Sequence, residues 1–181
     1  MPHHEIVYLT WGEVDYGARI GCIRQGYDLR VDAKHRYGYE GDGWGSNICG
    51  AQGELATAKY LDRFWSGAIG DFDAPDVGAR IQVRASYLPH ANLIVHPPPT
   101  ENKRGDKPND YFICARVLLQ NRLEGVITPV VHLMGWRPGA YAQRDQYWKE
   151  LQKGRPAFVV PVAELLPMVA LKSLTNSERA A

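Results

Sequence analysis

Apolar positions along the chain recur with two different periods, and the change of period divides it. Residues 6–9 (IVYL) form a short apolar run. Thr10 and Glu13 have the spacing of a capping box, in which a hydroxyl and a carboxylate satisfy each other's backbone donors. A helix is predicted over residues 11–25, with Val14, Ala18 and Cys22 on one stripe. Gly12, Gly17 and Gly21 lower its intrinsic propensity, and Gly26 reads as its stop signal. Residues 30–50 are polar, basic and glycine-rich. Within them, 41–46 (GDGWGS) reads as a loop. It is not a phosphate-cradling P-loop, because no Gly-Lys-Ser/Thr follows. Asn47 reads as the N-cap of a second helix, which runs to residue 65. Ile48, Ala51, Leu55, Ala58, Leu61 and Trp65 give that helix its apolar stripe.

Beyond Gly67 and Gly70 the period falls to two. Residues 79–85 (ARIQVRA) alternate strictly and predict a strand, followed by a short one at 92–95. A polar loop over 97–109 carries Lys103, Arg104 and Lys107. Two β-rich runs, 111–119 and 126–134, flank the turn-like segment 120–125. Residues 141–152 look helical and are closed by Gly154. A last strand is expected at 158–160 and a short terminal helix at 162–171. Helices and strands in this order predict an α/β or α+β fold, with a mixed central sheet flanked by helices. Neither an internal repeat nor an interdomain linker stands out.

Composition narrows the class. The chain has 181 residues, 45% hydrophobic and 23% charged, which suits one globular domain. The formal net charge of +1 leaves no whole-protein basic field, so nucleic-acid binding would depend on local patches. Cys22, Cys49 and Cys114 form no CxxC pair, which argues against a zinc ribbon and fits a reducing compartment. No apolar run approaches the roughly 20 residues that cross a bilayer. The first residues read as no signal peptide. A soluble, cytoplasmic, single-domain protein with no membrane partner is expected.

The candidate chemistry lies where the period changes. Glu54 shares a helix row with Ala58, Leu61 and Trp65, so its carboxylate points toward the core side. A buried carboxylate needs a partner, and a metal ion is one such partner. Asp76 sits in a turn at the mouth of the strand. Arg80, Gln82 and Arg84 share one face of that strand, and Ile81, Val83 and Ala85 share the other. Taken singly, these residues read as a helix surface, a turn former and a solvated strand face; it is their joint spacing that makes a set.

The run at 50–61 (GAQGELATAKYL), then Asp76-Val77-Gly78, then Ile81-Gln82-Val83-Arg84, resembles phage and bacterial members of the PD-(D/E)XK nuclease superfamily. The strand beginning Asp110-Tyr111-Phe112 and the Gly135-Trp136 strand end are similar too. The resemblance implies a restriction-endonuclease-like fold, with residues 1–49 as a helical and glycine-rich N-terminal extension. It implies DNA phosphodiester hydrolysis, endo- or exonucleolytic or at junctions, with Mg²⁺ or Mn²⁺. Asp76 would be the central metal ligand and Glu54 the helix-borne acid that completes the shell. Gln82 would replace the second acidic residue, the Val83 carbonyl would also ligate, and Arg84 would stand where the motif has lysine. Two departures carry weight. Gln82 is neutral, which removes one negative charge from the site. Arg84 keeps its proton at any ordinary pH, so it can clamp a phosphate but cannot act as a base. They motivate the alternative: a non-catalytic DNA- or protein-binding member of the fold, such as a phage counter-defence protein.

DNA contacts are expected from Lys34 and Arg36, with Arg30, Tyr37, Tyr39 and Trp44 nearby, and from Lys103, Arg104 and Lys107. A second copy of the chain is a further candidate partner. Of the histidines, His3 and His4 form a terminal pair, His35 belongs to a basic surface, and His90 and His96 flank a short strand; none is expected to be catalytic.

Overall fold

A computed structural model describes residues 4–31, 41–71, 74–101, 104–123, 126–152 and 154–180. The elements in order are strand β1 (Glu5–Tyr8), helix α1 (Trp11–Arg30), helix α2 (Gly43–Leu61) and strands β2 (Ile81–Ser86), β3 (Leu93–Val95), β4 (Tyr111–Leu123) and β5 (Val126–Pro138). Then come the short helix α3 (Gly139–Ala142), strands β6 (Trp148–Gln152) and β7 (Arg155–Val160), and helix α4 (Met168–Ala180). The fold is mixed α+β.

The capping box forms as the sequence predicts: Glu13 N–H donates to Thr10 Oγ1, and Thr10 N–H to Glu13 Oε2. Helix α1 passes Gly26 and continues to Arg30. Its inner face is not the Val14–Ala18–Cys22 stripe, since Cys22 is exposed. That face is Gly17, Gly21 and Gln25. The glycines that lower propensity are the ones that let α1 lie close along α2. A Cβ on Gly21 would stand 2.5 Å from Ile48 Cα, and one on Gly17 3.0 Å from Gln52 Cγ.

Helix α2 starts four residues before the expected cap, with Asp42 as N-cap, so 43–46 is its first turn and not a loop. Asn47 lies within the helix, and its Nδ2 donates to Gln25 Oε1 at 2.8 Å and to Asp28 Oδ2 at 3.3 Å. The helix ends at Leu61, because Asp62 turns left-handed at φ 55°. Trp65 therefore lies beyond the helix and folds back beside it.

The first sheet has the order β1-β5-β4-β2, with β2 parallel to β4 and the other pairs antiparallel. It is the middle layer. Ile81, Val83, Ile113, Ala115, Val131 and Leu133 face α2. Phe112, Cys114 and Met134 face a second sheet, β3-β7-β6, through Leu93, Val95, Phe158 and Val160.

That second sheet overturns one expectation. Residues 141–152 are not a helix but α3, a 3-10 turn at Asp145–Tyr147, and β6. The helix-favouring residues of WKELQ are overridden by pairing with β7, where Trp148 lies opposite Phe158 with ring centroids 4.8 Å apart. The terminal helix also shifts. Residues 162–164 are a 3-10 turn, Leu166 bridges to Trp136, and α4 begins only after Pro167. Among the described residues no helix is long and apolar enough to cross a membrane.

Candidate functional site

Strand β2 is the last strand of its sheet, so one of its sides bonds to β4 and the other faces outward. Alternation assigns the groups. The Arg80 carbonyl accepts from Tyr111 N–H on the β4 side, and the Ile81 carbonyl accepts from Val77 N–H on the outer side. Val83, two residues on, points its N–H and C=O outward as well. Asp76 meets it there, its Oδ2 accepting from Val83 N–H at 2.7 Å. No described residue donates to Asp76 Oδ1. A turn carboxylate and the middle residue of Gln82-Val83-Arg84 are thus held side by side.

Glu54 approaches from α2. The preceding residue is glycine because a Cβ on Gly53 would meet the Ala85 side chain at 2.6 Å, so α2 rides directly on β2. Glu54 is buried, and its oxygens are engaged by protein donors. Arg24 of α1 forks onto it, Nη1 to Oε1 and Nη2 to Oε2, each at 2.7 Å. The Trp65 indole donates to Oε2 at 2.9 Å. Arg24 is itself fixed by Nε donating to the Ala68 carbonyl at 2.9 Å. Burial opposes the Arg24 charge, and Glu54 outweighs it, raising the guanidinium's pKa.

The Asp76 carboxyl is pushed up to about 7. Burial is the largest cause and the nearby Glu54 charge the next; Arg84, the Val83 N–H and Arg24 pull the other way. Burial and the Glu54 charge together outweigh the two guanidiniums and the Val83 hydrogen bond.

Gln82 and Arg84 project from the opposite face of β2. Gln82 Nε2 donates to Asp110 Oδ2 at 3.3 Å. Arg84 Nη2 pairs with Asp106 Oδ1 at 2.7 Å, its Nη1 lies 3.4 Å from the Val83 carbonyl, and its guanidinium stands 5.3 Å from the Phe112 ring centroid. Asp106 also accepts from His96 N–H at 2.8 Å, which ties the 96–110 loop to the strand. Burial raises the Asp110 pKa against the Gln82 hydrogen bond.

The structure therefore brings Asp76, Val83 and Arg84 together, with Glu54 near Asp76 and Gln82 turned to Asp110. Arg104 and Lys107 are exposed on the 96–110 loop, and Arg30 and Trp44 are exposed on the helical side. Lys34, Arg36, Tyr37, Tyr39, His3, His35 and Lys103 lie outside the described residues. His4 stacks on His132 at 4.8 Å.

Arg24, Asp106 and Asp110 were not among the sequence candidates. Arg24 carried a signal, since it follows Gly17 and Gly21 at helical spacing and so shares the face that meets α2. Asp106 was hidden in a basic loop.

Among the described residues no three His, Cys, Asp or Glu side chains converge to hold a metal ion. Of the expected ligands, Asp76 and Val83 lie side by side, whereas Gln82 is turned to Asp110 and both Glu54 oxygens are taken by protein donors. One carboxylate with neutral oxygens suits a hard ion that keeps several waters. Comparison with protein-family models, with curated proteins and with solved structures finds no match to this chain.

Proposed function

We propose that this site hydrolyses DNA phosphodiesters with the help of Mg²⁺ or Mn²⁺, in the manner of the PD-(D/E)XK nucleases. The observation that carries the reading is the bond from Val83 N–H to Asp76, which sets the turn carboxylate beside the outward carbonyl of the same residue. An ion held by Asp76, Val83 and Gln82 would lower the pKa of a bound water and neutralise charge on the scissile phosphate. Asp76 supplies the negative charge, and Arg84 clamps a phosphate oxygen once it exchanges Asp106 for substrate. Arg84 donates protons to no step, and neither it nor Gln82 serves as a base. Arg104 and Lys107, with Lys34, Arg36 and Lys103, are the proposed contacts to the DNA backbone. The setting is the bacterial or phage-infected cytoplasm.

The test is cleavage of plasmid, linear and branched DNA with each ion, by the wild-type chain and by Asp76→Asn. Ion-dependent cleavage that the substitution abolishes is the expected result. No cleavage of any substrate, or equal cleavage by both proteins, sinks the proposal.

A second reading is favoured by the two ion pairs, Arg24–Glu54 and Arg84–Asp106, which already neutralise much of the site. It is a non-catalytic DNA- or protein-binding role, including counter-defence in a phage. Salt-sensitive DNA binding that needs no divalent ion and survives Asp76→Asn supports it over the enzyme.

A further inference from the structure

A second concentration of charge lies where β5 gives way to α3. Arg137 is the last residue but one of β5, and its guanidinium stands 3.9 Å from the centroid of the Tyr141 ring. Arg144 stands 4.1 Å from the same centroid. The ring attracts each cation, while the two cations repel each other. Carboxylates that could relieve the repulsion are not engaged with them. Glu164 accepts from the Tyr147 hydroxyl, and among the described residues no carboxylate forms an ion pair with either arginine. Arg137 is fixed by Nε, which donates to the Glu164 carbonyl at 2.5 Å. Its two terminal nitrogens, and the whole Arg144 side chain, donate to no described residue.

The turn that carries Tyr141 and Arg144 is bound to the loop that carries other cations. Ala140 N–H donates to the Pro108 carbonyl at 2.8 Å. Gln143 Nε2 donates to the His96 carbonyl at 2.9 Å and to the Asp106 carbonyl at 2.8 Å. Lys107 follows Asp106 and Arg144 follows Gln143, so this tie sets two exposed cations on joined pieces of backbone. Asp106 is also the partner of Arg84. The arginine pair is thus linked through one hydrogen-bonded chain to the β2 site.

We propose that Arg137 and Arg144, held on Tyr141, form a phosphate-binding site that takes a backbone phosphate of a nucleic acid. Guanidinium nitrogens match phosphate oxygens in a fork, and a phosphodiester presents two unesterified oxygens, one for each arginine. Cations already stacked on a ring lose little freedom when they bind. A polyanion is the fitting ligand because Lys107 and Arg104 continue the charge along the loop to which this turn is tied. The choice of DNA as that polyanion rests on the nuclease reading; the affinity for phosphate does not.

The experiment measures binding in EDTA, so it needs neither a divalent ion nor turnover. A fluorescein-labelled duplex DNA is titrated over a range of salt with wild type, Arg144→Gln, Arg137→Gln and the double variant. Arg19→Gln, which loses an exposed arginine of α1, is the control for charge alone. Circular dichroism establishes that each is folded. Arg144 is exposed and its side chain donates to no described residue, so Arg144→Gln decides alone if Arg137→Gln fails to fold. Arg144→Gln is expected to bind about tenfold more weakly, with a plot of log affinity against log salt shallower by about one. The double variant is shallower by about two, and Arg19→Gln matches wild type. Inorganic phosphate, followed by phosphorus NMR, distinguishes the source of the ligand. Phosphate binding that the double variant loses, with no binding of DNA by wild type, gives the pair to free phosphate and overturns the proposal. Binding of neither ligand overturns it as well. DNA binding with the same affinity and slope in wild type and Arg144→Gln overturns it and leaves the nuclease reading standing, as does an equal loss in Arg19→Gln. The expected losses in a chain that cleaves no DNA with Mg²⁺ or Mn²⁺ support the site and remove the nuclease reading.

Discussion

Gly21 of α1 lies against the backbone of Ile48 in α2, so close that an added Cβ would sit 2.5 Å from the Ile48 Cα and 2.6 Å from its nitrogen. Backbone cannot yield as a flexible side chain does. Gly21→Ala is therefore expected to force the helices apart and destabilise the protein by about 3 kcal/mol. The control is on the same helix. Gly26 has nothing within 4 Å of its added Cβ, and Gly26→Ala should stabilise by about 0.5–1 kcal/mol. Urea unfolding of the two variants reads both, and equal stabilities would refute the close packing of α1 on α2.

Asp76 is held against the preference of its charge. Its carboxyl, ordinarily near 3.8, is raised to about 7 by burial and by Glu54. The fold thus penalises the ionised form: the penalty is absent below the ordinary value and complete above the raised one. Asp76→Asn keeps an oxygen for Val83 N–H and removes the penalty. It should raise the melting temperature at pH 8, by about 1–2 kcal/mol in stability, and leave it nearly unchanged at pH 4. Scanning calorimetry at the two pH values checks this, and a lower melting temperature for the variant at pH 8 contradicts it.

Mn²⁺ supplies the converse. An ion that binds the folded chain raises its melting temperature as concentration rises. The wild-type protein is expected to show that rise at pH 8 and Asp76→Asn to show none. An equal rise in both would move the ion away from Asp76.

His132 gives a pH dependence of opposite origin. Burial, His4 and Arg116 lower its pKa below the ordinary 6.5. The unfolded chain therefore takes up a proton first as pH falls. The stability is fully present above 6.5 and is lost as pH falls below it toward the folded value. Relative to wild type, His132→Gln should gain in melting temperature as pH falls from 7.5 to about 5.5; a difference between the two proteins that does not change with pH would contradict it.

Arg84 and Asp106 form a partly buried pair at 2.7 Å, with Asp106 also capping His96 N–H. Asp106→Ala leaves both donors without that partner and should cost about 2–3 kcal/mol. Replacing both residues by apolar ones should cost less than the sum of the single changes, as a double-mutant cycle would show. Strict additivity would mean that the pair contributes no coupling.

Much of this was legible in the chain. The alternation of residues 79–85 located β2, and the Thr10–Glu13 spacing gave a cap that forms as written. What could not be read was decided between elements. WKELQ has the composition of a helix and becomes β6 because Phe158 and its neighbours offer a partner strand. The buried Glu54 was foreseen to need a counter-charge, but its supplier is a helix 30 residues away that arrives through glycine contacts. Local period reports which face is apolar; it does not report which distant side chain will meet a charge.

The outward side of β2 has one more consequence, for the protein's life at high concentration. A terminal strand offers open backbone donors and acceptors on which another chain can add itself. Here the Val77 N–H covers the Ile81 carbonyl and Asp76 covers the Val83 N–H. The same carboxylate proposed to hold an ion thus also plugs the strand against self-association. Removing it with alanine uncovers a donor and invites aggregates, whereas asparagine leaves the plug in place.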